Sequence, residues 1–321
     1  MEIGGYFELE QKEDNSYHKD AIKLNSGRNC LRVLIRNRHI RRIHLPYYIC
    51  DTVVEACRKE DCEVNFYFLG EGFKLKNEIA DFDYSMDYLY LVNYCGLLTV
   101  DEILNLKNKY QNIILDNVQA FFVDQISNID TIYSCRKFFG VPDGAYLYTS
   151  AEIMEQYEQD YSYKRMMHIL GRYELGAEAF YKTYTQNEEN ISYEPIKYMS
   201  RLTNNMMRGI DYNKVAEVRN QNYCRLSEKL RCWNKMDLPE SLYGAFAYPL
   251  FIMDAEQVRQ RLIREKIFIP QYWKEVVKRV SKETIEYQYT QNILWVPCDQ
   301  RYNEREMDYI INKIEENISC D

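Results

Sequence analysis

No apolar run in the 321 residues approaches the roughly 20 that span a bilayer. The opening Met1-Glu2-Ile3-Gly4-Gly5 has neither a basic stretch nor an apolar core, so a secretory signal is not expected there. The ten cysteines contain no Cys-x-x-Cys pair, and scattered single thiols fit a reducing cytoplasm better than a disulfide framework or a zinc site. An excess of basic charge is also missing. Forty-one Lys and Arg against 49 Asp and Glu leave a net charge of −8, which argues against nucleic acid as the main partner. The four histidines (His18, His39, His44, His168) match no triad or metal spacing and are expected at the surface or in packing. Glycine is scarce, with 12 residues against a usual share of about 7%, so each one carries information about turns and phosphate loops.

What is present is a hydrophobic fraction of 46% and 30 tyrosines, enough for a sizeable core with aromatic packing. From residue 26 onward helix and strand patterns alternate. Helices are predicted over 27–38 (opened by Asn25-Ser26-Gly27), 51–59 and 100–110. Strands are predicted over 43–45 (closed by Pro46), 63–69, 87–93, 112–116, 130–134 and 145–149. That succession implies an α/β fold with a large, mostly parallel sheet flanked by helices. Residues 151–235 read as helical. Pro239 then marks a change, followed by strands at 246–252 and 293–296 and helices at 254–265 and 303–316. The expected division is a large domain at 1–237 and a small C-terminal α+β lobe at 238–321.

Ligands of parallel α/β sheets sit at the carboxyl ends of the strands, so polar residues there are the candidates. Ser26-Gly27-Arg28-Asn29 opens a helix, where free N–H groups and the helix dipole favour a phosphate. Asp116 ends an apolar strand, with Gln119 three residues on, and Ser134-Cys135-Arg136-Lys137 ends the next. A phosphate cup, a buried carboxylate and a strand-end lysine are the set that pyridoxal phosphate needs. The lysine forms a Schiff base, and the carboxylate keeps the pyridine nitrogen protonated.

The runs Ser26 to Asn29, Leu45-Pro46-Tyr47-Tyr48, Val92-Asn93-Tyr94-Cys95-Gly96, Asp116-Asn117-Val118-Gln119-Ala120 and Ser134 to Gly144 occur in an order and spacing that resembles the DegT/StrS-type sugar aminotransferases. Those enzymes have the fold-type-I architecture of pyridoxal-phosphate-dependent transferases. The resemblance covers about residues 20–150 in motif and the rest in lobe layout. It implies that Lys137 is the Schiff-base lysine and Asp116 the partner of the pyridine nitrogen. It further implies Gln119 near the ring's phenolic oxygen, and Ser26, Gly27, Arg28 and Ser134 around the phosphate. Three departures stand out. Cys50 occupies the position of the family's ring-stacking aromatic, which leaves Tyr48 or Tyr47 for that task. The interval from Ser134 to Lys137 is shorter than the family's, and Asn93 stands where the family often has histidine.

By this resemblance the chain is expected to move an amino group from an amino-acid donor such as glutamate to a keto sugar, nucleotide-linked, in the cytoplasm. The alternatives are a dehydratase on the same cofactor, against which Lys137 argues, and a degenerate relative with a binding or regulatory role. Tyr272-Trp273 is read as packing rather than as a substrate mouth, and Asp299 to Tyr302 as a polar turn closed by its own ion pair. The resemblance also implies a homodimer. The surplus of apolar residues among Met166, Met167, Ile169, Leu170, Tyr173, Leu175, Phe180, Tyr181 and Tyr184 supports it independently, because they fall on more than one helix face.

Overall fold

Short apolar segments that end in turn residues become strands, and amphipathic segments with capping side chains become the helices that cover them. In a computed structural model describing residues 3–318, seven strands form one sheet. They are β1 (Ile22–Leu24), β2 (Arg42–Pro46), β3 (Glu63–Tyr67), β4 (Tyr88–Val92), β5 (Ile113–Asp116), β6 (Asp130–Ser134) and β7 (Ala145–Tyr148), in the order β1-β7-β6-β5-β4-β2-β3. Strands β2 to β6 run parallel, and β7 and β1 add antiparallel pairings at one edge. Helices α1 (Gly27–Asn37), α2 (Asp51–Arg58) and α3 (Val100–Tyr110) are the crossovers. Ser26 caps α1 by accepting from the Asn29 N–H, and Thr99 and Glu102 close a reciprocal capping box on α3.

All of Ile113–Asp116 is buried, as is most of β4 and β6, which is the pattern of parallel strands covered on both faces. Register then fixes the site. Val92 lies opposite Asp116, Asp116 opposite Ile132, and Ser134 opposite Ala145. Asn93, Asp116 and Ser134 therefore arrive at one edge of the sheet.

Beyond the sheet come α4 (Met167–Leu175), α5 (Tyr181–Tyr193), α6 (Arg201–Arg208) and the long α7 (Tyr212–Leu230). The C-terminal lobe holds an antiparallel pair, β8 (Tyr248–Phe251) with β9 (Ile293–Val296), together with α8 (Ala255–Arg264), α9 (Ile285–Asn292) and α10 (Glu304–Ile318). The expectation of helix throughout 151–235 needs correction, because 151–162 is irregular and Gln159 forms an isolated bridge with Tyr198. Strand β1 and helix α9 are additions to the sequence reading. Among the described residues no helix is long and apolar enough to cross a membrane, and no cluster of His, Cys, Asp or Glu is arranged to hold a metal.

Candidate active site

The turn after β6 carries Lys137 and is tied down from three sides. Within it, the Phe138 and Phe139 N–H groups donate to the Cys135 carbonyl, and the Cys135 N–H donates to Gly144. Gly144 has φ +111°, and a Cβ there would lie 2.9 Å from Thr203 and 3.1 Å from the Cys135 sulfur, so only glycine fits. The buried Asp143 carboxylate accepts from the Ser200 N–H (2.8 Å), the Ser200 hydroxyl (2.7 Å) and the Thr203 hydroxyl, anchoring the turn to α6. On the other side, the Phe138 carbonyl accepts from Gln300 Nε2 (2.8 Å) and from Arg219 of α7 (3.2 Å). The buried Arg219 guanidinium also donates to Gln300 Oε1 (2.7 Å) and to the Ala245 carbonyl (2.8 Å), and lies 4.6 Å from the Phe138 ring centroid.

The Lys137 side chain is exposed, yet protein crowded around its ammonium desolvates it and lowers its pKa. The like charges of Arg136 and Arg28 push the same way, while Cys50 and Asp116 oppose them. The Lys137 Nζ lies 5.4 Å from the centroid of Tyr272, so this small-lobe tyrosine faces the amine rather than serving packing alone. Asp116 is 3% exposed, and burial raises its carboxyl to about 6 against hydrogen bonds from the Val118 N–H (2.9 Å) and the Tyr90 hydroxyl (2.8 Å). A carboxylate so placed gains from a cationic N–H donor.

Ser26 is buried at the start of α1, and a Cβ on Gly27 would lie 3.4 Å from Val118 and 3.6 Å from Ile132, so this helix start abuts the ends of β5 and β6. Arg28 is half-buried, its Nη1 has no hydrogen-bond partner, and burial lowers its pKa. Its charge reaches both Arg136 and Lys137. An orphaned guanidinium nitrogen beside a helix start fits an anionic group such as a phosphate. Arg28 also borders a narrow recess between α1 and α2 with Thr52, Glu55 and Ser192, whereas a wider groove lies elsewhere, along Ile22, Lys23 and Asn204. Ser134 is half-buried at the end of β6. Gln119 is buried, with Oε1 accepting from the Cys95 N–H at 3.3 Å.

Tyr48 does not join this set. It is 0% exposed, packed edge-on against Trp273 at 4.6 Å and flanked by Phe73, Tyr94 and Tyr289, so it has no face free for a cofactor ring. Tyr47 stacks on Phe66 instead. Cys50, in the place of the expected aromatic, is partly exposed and acts on the charges of both Lys137 and Arg28. Asn93 is fully buried, donates to Asn117 Oδ1 (3.1 Å) and accepts from the Leu98 N–H (3.0 Å). The polar turn expected at Asp299 to Tyr302 is present, with the Arg301–Asp299 pair at 2.6 Å. Sequence reasoning missed the roles of Arg219 and Gln300, for which no local signal exists.

No family model and no curated protein matches the chain. Solved structures do. An aminotransferase described as DegT DnrJ EryC1 StrS, from Brucella abortus, matches with a TM-score of 0.64 and 14% identity over 92% of this chain and 85% of that one. The sugar aminotransferase CalS13 from Micromonospora echinospora gives 0.63 and 10% over 92% and 87%. NtdA from Bacillus subtilis, solved with bound cofactor PMP, gives 0.63 and 12% over 93% and 73%. The fold is therefore that of the fold-type-I aminotransferases, a large mostly parallel sheet with a small C-terminal lobe.

Proposed function

We propose that this chain is a pyridoxal-phosphate-dependent aminotransferase that moves an amino group from an amino-acid donor, glutamate, to a keto sugar carried on a nucleotide. The observation that carries the reading is one cleft holding a solvent-open lysine with a depressed pKa, a buried carboxylate with a raised one and an unpartnered guanidinium nitrogen. When bound, the cofactor supplies an electron sink for charge developing at the donor's α-carbon. Lys137 would anchor it and then hold or return a proton as general base, a task toward which the desolvation of its ammonium by surrounding protein biases the amine. Asp116 would hold a proton on the pyridine nitrogen. Arg28, with Ser26 and Gly27 at the start of α1 and Ser134 across from them, would seat the phosphate, and Gln119 would approach the phenolic oxygen. Tyr272, across from the amine, would wall the cleft.

The proposal includes a homodimer working in the cytoplasm and a division into domains 1–237 and 238–321. Support for the dimer comes from α4 and α5, where Met167, Leu170, Tyr173, Leu175 and Tyr181 are exposed, Tyr173 to 91%. The deciding experiment is an absorption spectrum of the protein with pyridoxal phosphate, before and after L-glutamate. Borohydride reduction and peptide mapping then follow. A reducible adduct on Lys137 whose band glutamate bleaches supports the reading, and an adduct on another lysine, or none, removes it.

A further inference from the structure

Arg136 stands next to Lys137 in the chain and beside it in the cleft, and the cofactor reading assigns it nothing. Its side chain is 17% exposed, and burial, with Arg28 and Arg165 adding like charge, holds the guanidinium down at about 10. Arg28, Arg136 and Lys137 thus crowd three cationic groups around one opening, more than a single phosphate accounts for once Asp116 is set against the pyridine nitrogen. Among the described residues the carboxylate in ion-pair contact with Arg136 is Glu188.

Glu188 belongs to α5, one turn beyond Tyr184, so the two share a face. Tyr184 influences both Arg136 and Tyr272, and it meets the His168 ring of α4 at 5.7 Å between centroids. Ile169 of α4 rests on Gly140, a Cβ there lying 3.6 Å from its Cγ2. The inner face of the α4–α5 hairpin therefore closes over the Lys137 turn. One side-chain atom of that hairpin, Asn187 Nδ2, is buried without a partner, a polar group that a bound polar molecule would satisfy. The hairpin is also lightly anchored. Only Gly171 of α4 and only Asn187 and Ile191 of α5 are buried.

We propose that Arg136 is the seat for the carboxylate of the amino-acid donor, and that Glu188 occupies that seat in the empty cleft as an internal stand-in which the donor displaces. A guanidinium offers a carboxylate two parallel N–H donors, and a desolvated one bonds it more strongly than a surface one. The inference rests on the aminotransferase reading, and its test separates the two.

The cofactor-loaded protein is titrated with L-glutamate in the absence of any acceptor, as wild type, Glu188→Gln and Arg136→Gln. In parallel, cofactor-free wild type and Glu188→Gln are treated with phenylglyoxal, with and without L-glutamate, and modification of Arg136 is read by peptide mass. Glu188→Gln should lower the half-saturating glutamate concentration about three- to tenfold and speed modification of Arg136 at least as much, with glutamate protecting it. Arg136→Gln should raise the half-saturating concentration about tenfold or more while the borohydride-reducible adduct persists, as expected from loss of a charged hydrogen bond. A merely structural Arg136–Glu188 pair predicts the opposite sign in Glu188→Gln, weaker glutamate binding, and that result overturns the inference. So does unchanged binding, or an adduct that glutamate leaves untouched. Absence of any Lys137 adduct in wild type instead removes the aminotransferase reading, and the inference with it.

Discussion

Asp116→Asn should make the cofactor-free protein more stable at neutral pH while crippling catalysis. In the folded chain burial raises the carboxyl from 3.8 to about 6. The folded state therefore holds a proton that the unfolded chain has already released between those values. Stability is then greatest below pH 3.8, falls as pH rises toward 6, and carries the full penalty above it. At about 1.36 kcal/mol per pKa unit the penalty is about 3 kcal/mol. Asparagine removes it, and the charge-assisted bonds from the Tyr90 hydroxyl and the Val118 N–H are already contained in that net shift. The gain is about 3 kcal/mol at pH 7.5, or about 4 °C in Tm for a chain of this length. Thermal melts of both cofactor-free proteins from pH 4 to pH 8 test this, and the gap should close toward pH 4. A variant no more stable than wild type at pH 8, or a gap that ignores pH, refutes the electrostatic account. Turnover should move the other way, falling by orders of magnitude, because a neutral pyridine is a poor electron sink.

Lys137→Ala should fold with an unchanged circular dichroism spectrum yet yield no borohydride-trapped cofactor mass on any peptide. Gly144→Ala should destabilise by about 3 kcal/mol, since a side chain at φ +111° is strained and its Cβ crowds Thr203, Cys135 and Met199; the midpoint of urea unfolding measures it. Light scattering should give twice the 38.7 kDa chain mass at micromolar concentration, and Leu170→Glu with Tyr173→Glu should halve it. A stable monomer that still transaminates contradicts the dimer.

The sheet was legible where local signals agree. Asp130–Ser134 and Val100–Tyr110 fall on the expected residues, because a short run of β-branched and aromatic residues and a capping box each specify their element without outside help. Strand β1 was not legible, since three residues become a strand only by pairing with β7, more than 120 positions away. Residues 151–162 are polar enough to suggest a helix, yet Gln159 and Asp160 are engaged by the Tyr198–Met199 segment instead. The same division runs through the cleft. Asp116 stands at a strand end and Lys137 in the turn just past one, places that the chain's own pattern marks. Tyr48 was read toward the ring because its burial is decided by Trp273 and Tyr289, contributed from the other lobe. Arg219, Gln300, Tyr272 and Glu188 reach Phe138, Lys137 and Arg136 across 52 to 162 positions of sequence, and nothing local announces such contacts.

The Arg219 guanidinium gives the molecule a mechanical character. It bonds the Phe138 carbonyl on one side and Ala245 and Gln300 on the other, so the Lys137 amine and the C-terminal lobe share a rigid coupling. A rotation of that lobe would be transmitted through Phe138 to the adjacent Lys137, as motion passes along a linkage. The amine's position is thereby geared to the lobe's orientation. An opening movement that leaves the amine in place has to occur elsewhere, and α4 and α5, with three buried side chains or glycines between them, offer the least resistance.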